Sequence, residues 1–187
     1  MKIDMRVDAR AVTLQLDRLR ADVIGPAASR ALNRTATSVR AEAVRAMRRT
    51  LPLSAKSLRS RLKIEASNQR TLTARIVARR DYDPSLGQFS PTWRQRQPGG
   101  ATVKLPGRPR QAVAGAFVAR TRYGRDAVFR RVGRARTPLR FLRASDIGLP
   151  TVSAAFLQAA GDAALTRYAR DKFRGFLARE IQFRRGA

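Results

Sequence analysis

Hydrophobic positions along the chain change period several times, and each change marks an element. In KIDMRVD, Ile3, Met5 and Val7 alternate with charged residues, as on a half-buried strand. Asp8 is placed to cap a helix carrying Val12, Leu16, Leu19 and Val23 on one stripe. Gly25-Pro26 then predicts a break, with Pro26 opening a second helix over about 26–50. Ala28, Ala31, Leu32, Thr35, Val39, Ala43 and Met47 share one narrow face of that helix. Most of these are small, which suits close helix packing, while Arg30, Arg34, Arg40, Arg45, Arg48 and Arg49 hold the other face. Pro52 stops the helix, and Ser54 caps a short one in SAKSLRSRL.

Beyond residue 62 the period shortens. KIEAS and LTARIVA read as a hairpin around Asn68-Gln69, with Leu72, Ala74, Ile76 and Ala78 on one face and Arg75 on the other. Residues 79–100 keep no period and contain Pro84, Pro91, Pro98 and Gly99-Gly100, which predicts a long loop inserted in the sheet region. ATVKL, the segment AVAGAFVARTRYGRDAVFRRVG (112–133) and TPLRFLRA supply further strands, the second as two strands around a turn. From 151 to 185 a four-residue step returns: Leu165, Ala169, Phe173, Leu177 and Ile181 line one stripe, extended backwards by Val152, Phe156, Ala160 and Ala163. This predicts one long C-terminal helix. The order gives an α+β fold: two N-terminal helices, a mostly antiparallel sheet with a long loop, and a long C-terminal helix. The length suits a single domain over 1–187.

Charge changes the picture most. Forty Lys+Arg stand against 13 Asp+Glu, a net charge of +27, and only Lys2, Lys56, Lys63, Lys104 and Lys172 are lysines. An arginine-favouring genome accounts for the choice of Arg over Lys as readily as function does, but not for so few acids. A lone molecule with this surplus repels itself, so polyanions or acidic protein surfaces are the expected partners. Arginine adds planar, bidentate pairing with phosphate or carboxylate.

The residue types needed for catalysis are scarce. Neither His nor Cys occurs, which removes the commonest general base, the nucleophilic triads and thiolate or imidazole metal sites. No phosphate-binding glycine loop is present. Asp81-Tyr82-Asp83 has the spacing of a Mg²⁺ site, but Asp83-Pro84 is accounted for better as a turn. The sequence therefore predicts no enzyme, no catalytic residue, no metal site and no cofactor. No apolar run is long enough to span a membrane, and MKIDMRVDAR has no apolar core of a secretion signal.

The candidate interface or DNA-facing residues crowd the middle of the chain: Arg94, Arg96, Lys104, Arg108, Arg110, Arg120, Arg122, Arg125, Arg130, Arg131, Arg134 and Arg136. Trp93, between Pro91 and Arg94, is the candidate interface anchor, with pinning of its own loop as the alternative. Phe117, Tyr123 and Phe129 could stack bases, but Phe117 shares parity with Val113 and Ala119, which favours core packing. Arg130 and Arg131 pose a puzzle, since neighbours on a strand point to opposite faces. One answer is a wet edge strand with two snorkelling side chains, the other a different partner on each face.

Several pieces in order carry a resemblance. Ala31-Leu32-Asn33-Arg34-Thr35-Ala36, Gly115-Ala116-Phe117, Arg131-Val132-Gly133 followed by Pro138, and Pro150 with Ala155-Phe156 make the chain over 27–182 similar to the minor tail protein Z family of long-tailed bacteriophages. The resemblance implies a structural virion protein, made in the host cytoplasm, that completes the tail at its head-proximal end and enables head–tail joining. It implies other tail and neck proteins as partners, a homo-oligomeric ring (a hexamer, since tails use six- or three-fold rings), no membrane, and double-stranded DNA in the lumen. Arg130 and Arg131 would then meet an adjacent subunit and the genome's phosphates. Residues 79–100 depart from the family's more basic pattern through Gln88, Gln95, Gln97 and two acids. The competing reading from charge is a cellular nucleic-acid-binding protein of ribosomal or nucleoid type, which predicts a monomer or dimer with steep salt dependence.

Overall fold

Small side chains let one helix run through the middle of the molecule. The computed structural model describes residues 21–78, 82–93, 100–133 and 137–185, the side chains of 21–23 and 185 excepted. The strand expected over 2–8 and most of the helix expected after Asp8 lie outside the described residues. Helix α1 spans Ala21–Met47 and has Pro26 inside it, so Gly25-Pro26 does not break the chain. Proline's φ is already helical, and inside a helix it costs one missing N–H bond and crowding of the carbonyl four residues back. Immediately beyond it Ala27, Ala28, Ala31 and Leu32 are all buried, and that packing holds the turn together.

The helix that meets α1 is α4, Ala163–Arg185. Phe173 and Leu177 of α4 cluster with Ala27, Ala28, Ala31 and Leu32. Glu180, near the C-terminal end of α4, bonds Arg34 at 2.8 Å and reaches Arg30 at 3.8 Å, so the two helices run antiparallel. The single helix expected over 151–185 is in fact two. Helix α3, Val152–Ala160, ends at Gly161, and Asp162 starts α4 by accepting the Ala164 N–H at 2.8 Å. A capping aspartate after a glycine overrides an apolar stripe that continues through both.

Helix α2, Ala55–Arg61, follows Pro52 as expected, with the Ser54 hydroxyl accepting the Ser57 N–H at 3.1 Å. Strands β1 (Leu62–Glu65) and β2 (Arg75–Ala78) form the expected antiparallel hairpin. Asn68 Oδ1 accepts from the backbone of Arg70 and Thr71 and shapes the turn. Asn33 on α1 clamps this connection: its amide accepts Ser67 N–H at 2.7 Å and donates to Ser67 O at 3.1 Å.

Residues 82–93 contain a short 3-10 turn, Leu86–Gln88, which opens on the buried Leu86 and is followed by the buried Phe89. Strands β3 (Ala101–Val103) and β4 (Gln111–Val113) pair as one hairpin. Strands β5 (Ala116–Arg120), β6 (Asp126–Arg131) and β7 (Leu139–Phe141) form a separate three-stranded sheet in that order. Segment 112–133 is thus the end of one hairpin and the whole of the next. Gly115, at φ +65°, makes the turn between them. The main core gathers α1, α2, α3, the start of α4 and one face of each sheet around Met47, Leu51, Leu58, Phe89, Val128 and Phe156.

Candidate interaction surface

The β5–β6–β7 sheet has two unlike faces. Ala116, Val128 and Leu142 point inward and are buried. On the other face Phe117 stands opposite Phe129, and Phe129 opposite Phe141, so three rings lie across three strands in register. Their centroids are 6.2 and 5.7 Å apart, and Trp93 joins the row 6.3 Å from Phe117. Cross-strand aromatic pairs of this kind stabilise a sheet. They do not bury it fully: Trp93 is 39% exposed, Phe141 38% and Leu139, on the same face, 42%.

Phe117 is therefore not a core residue. Its shared parity with Val113 means nothing, because the turn at Gly115 puts the two residues in different sheets. The missed signal is spacing. Phe117, Phe129 and Phe141 recur at equal intervals, as rings do when consecutive antiparallel strands have matched register. That spacing is the signal that brings Phe141, and with it Leu139 and Arg143, to the same surface.

Two cations bracket the row. The Arg131 guanidinium lies 6.0 Å from the Phe117 centroid, and that of Arg143 lies 6.0 Å from Phe141. Arg130 is on the opposite face, paired in register with Ala116 and Arg140. Arg140 is held by Asp146, whereas Arg130 meets no carboxylate among the described residues. The neighbouring arginines thus serve two faces, one the aromatic row and the other the core face, at whose rim Arg130 and Arg140 reach solvent, and both neighbours are exposed.

Other candidates divide into free and engaged groups. Arg110 is engaged: it donates to Ser90 O, to Thr102 O at 3.2 Å and to Thr102 Oγ1 at 3.1 Å, tying 82–93 to β3. Arg120 pairs with Asp126 at 3.7 Å, and Arg122 stacks over Tyr123 at 4.7 Å. Lys104, Arg108 and Arg125 are exposed, without an ion pair among the described residues. Arg94, Arg96, Arg134 and Arg136 lie outside the described residues. Positive charge is not confined to this region, since Arg40, Arg59 and Lys63 line an open groove beside β1.

The few acids are largely taken. Glu42 holds Arg45, Asp126 holds Arg120, Asp146 holds Arg140, Glu180 holds Arg34, and Asp162 caps α4. Asp83 accepts the Ser145 hydroxyl at 2.5 Å and its N–H at 3.2 Å, while Asp81 lies outside the described residues. Among the described residues no three His, Cys, Asp or Glu side chains gather where a metal could sit, and no helix is long and apolar enough to cross a membrane.

A chain with this surface and this fold matches the family model of prophage minor tail protein Z over residues 9–184. It belongs to that family. Comparison with curated proteins and with solved structures gives no match. Membership makes the chain a structural component of a phage tail, in contact with other tail proteins. It also gives meaning to the pieces that carried the likeness. In the first, Ala31 and Leu32 pack on α4, Asn33 clamps Ser67, and Arg34 holds Glu180. In the second, Gly115 turns the chain, Ala116 enters the core and Phe117 starts the ring row.

Proposed function

We propose that this tail protein completes the tail at its head-proximal end and so allows the head to join, acting as a ring of copies, a hexamer, around the passage for DNA. The observation that carries this reading is the half-exposed ring row with its flanking arginines, on a chain of a tail family: the face is too apolar to be left in water and too basic to close on itself. Arg130, Arg125 and Arg108, free of acid partners among the described residues, are suited to the phosphates of double-stranded DNA. Free protein in the host cytoplasm is then an assembly precursor.

Electron microscopy of labelled particles tests the position directly, with label expected at the tail end next to the head. The double variant Arg130→Ala/Arg131→Ala is expected to fold with an unchanged melting midpoint, yet to leave heads and tails unjoined and lower infectivity at least tenfold. Label at the distal tip, or normal joining by the double variant, would sink the proposal. Native mass spectrometry of tail ends checks the six copies.

A further inference from the structure

Among the described residues the ring row ends at an open strand edge. Val132 N–H donates to Pro138 O at 3.1 Å, and Leu142 N–H donates to Val128 O at 2.9 Å. These two bonds fix the phase of the β6–β7 ladder. Pro138, Arg140 and the Leu142 N–H face β6, so Leu139 and Phe141 turn their own N–H and C=O groups to the outside, and at Leu142 the strand twists so that its C=O turns outward as well. Part of that side is already lined. Leu86 N–H donates to Leu142 O at 3.2 Å, Ala144 N–H donates to Pro84 O at 2.8 Å, and Ser85 bridges Arg143 in antiparallel sense. Continued along the same line, residues 87–89 would pair with Phe141–Leu139. They do not, because the 3-10 turn Leu86–Gln88 carries the chain away, Gly87 lying against the backbone of Asp126 and Ala127.

We propose that the edge Leu139–Phe141 receives an extended segment of another tail protein as an added strand, whose residues alternate apolar, acidic, apolar. The inference rests on the chain acting in the tail as set out above. Backbone groups on an open edge match a peptide and not a phosphate. A strand set beside β7 places the residues opposite Leu139 and Phe141 over the ring row, where apolar side chains cover the exposed rings. The residue between them faces the other way, on the side of Arg140 and Arg130, where a carboxylate would answer Arg130, since Arg140 is already held by Asp146. A second β7 strand fits poorly. Two β7 strands paired about a two-fold axis would set Arg140 against Arg140, and like charges directly opposed destabilise a sheet.

The test is a photo-crosslinking p-benzoylphenylalanine at Leu139 in assembled phage particles, with the same probe at the exposed Tyr123 as the control position. The expected result is an adduct, at 139 only, to a different tail protein, mapped by mass spectrometry to a segment of the stated alternation. An adduct to a second copy, an adduct to DNA, or no adduct from particles that contain the protein would overturn it and leave the joining role standing. Joined particles that lack the protein would remove both. As a second arm, Leu139→Lys sets a charge on the edge without touching the core. The melting midpoint is expected to hold while joined particles fall at least tenfold, and unchanged joining would count against the edge.

Discussion

Glu180 shows how much can hang on one side chain. It is nearly buried between α1 and α4, and its charge is met by Arg34 and, more loosely, by Arg30, both well exposed. Losing a partner of a buried ion pair costs about 3–5 kcal/mol, and the water around the arginines reduces that here to about 2 kcal/mol. Arg34→Ala should lose stability by that amount in urea unfolding. Adding Glu180→Gln should recover part of it, because the amide leaves no unmatched charge. A loss in the double variant equal to the sum of two separate losses would show that the pair does not act together. The sequence displayed Arg34 on a basic face, but nothing near it announced a carboxylate so far along the chain. Pairings at such separation are set by how helices pack, and a single sequence does not display packing.

At the level of elements, local chemistry was readable and distant chemistry was not. The Ser54 cap, the stop at Pro52 and the β1–β2 hairpin all rest on neighbouring residues, and each stands where the sequence placed it. The break between α3 and α4 was also local, in Gly161 and Asp162, but the apolar stripe ran across it and masked it. Sheet faces were harder. Whether Phe117 points into the core depends on which strand pairs with which, and Gly115 resets that between β4 and β5. The 3-10 turn at Leu86–Gln88 was invisible for the same reason, since its purpose is an approach to β6. A Cβ on Gly87 would stand 2.0 Å from the Asp126 carbonyl oxygen, a clash with backbone that a side-chain shift does not relieve. Gly87→Ala is therefore expected to displace the turn and cost about 1–3 kcal/mol, seen as a lower midpoint in thermal unfolding. An unaltered midpoint would mean the approach is looser than the geometry gives.

For the whole molecule the controlling quantity is charge. A folded chain at +27 carries self-repulsion that salt screens over about 10 Å at 0.1 M. Raising sodium chloride from low to moderate concentration should raise the melting midpoint of the isolated protein, by about 2–4 °C for each kcal/mol of repulsion removed. A midpoint indifferent to salt would show that the arginines are already matched within the molecule. The geometry argues against that, because most of the described carboxylates hold an arginine or a cap and leave Lys104, Arg108, Arg125 and Arg130 unanswered. One practical result reaches the bench. With its own acids largely occupied, the polypeptide released from lysed cells is expected to carry ribosomal RNA and sheared chromosome on its surface, seen as ultraviolet absorbance at about 260 nm that a strong salt wash removes. Any binding measured before a strong salt wash will report that cargo instead of the tail.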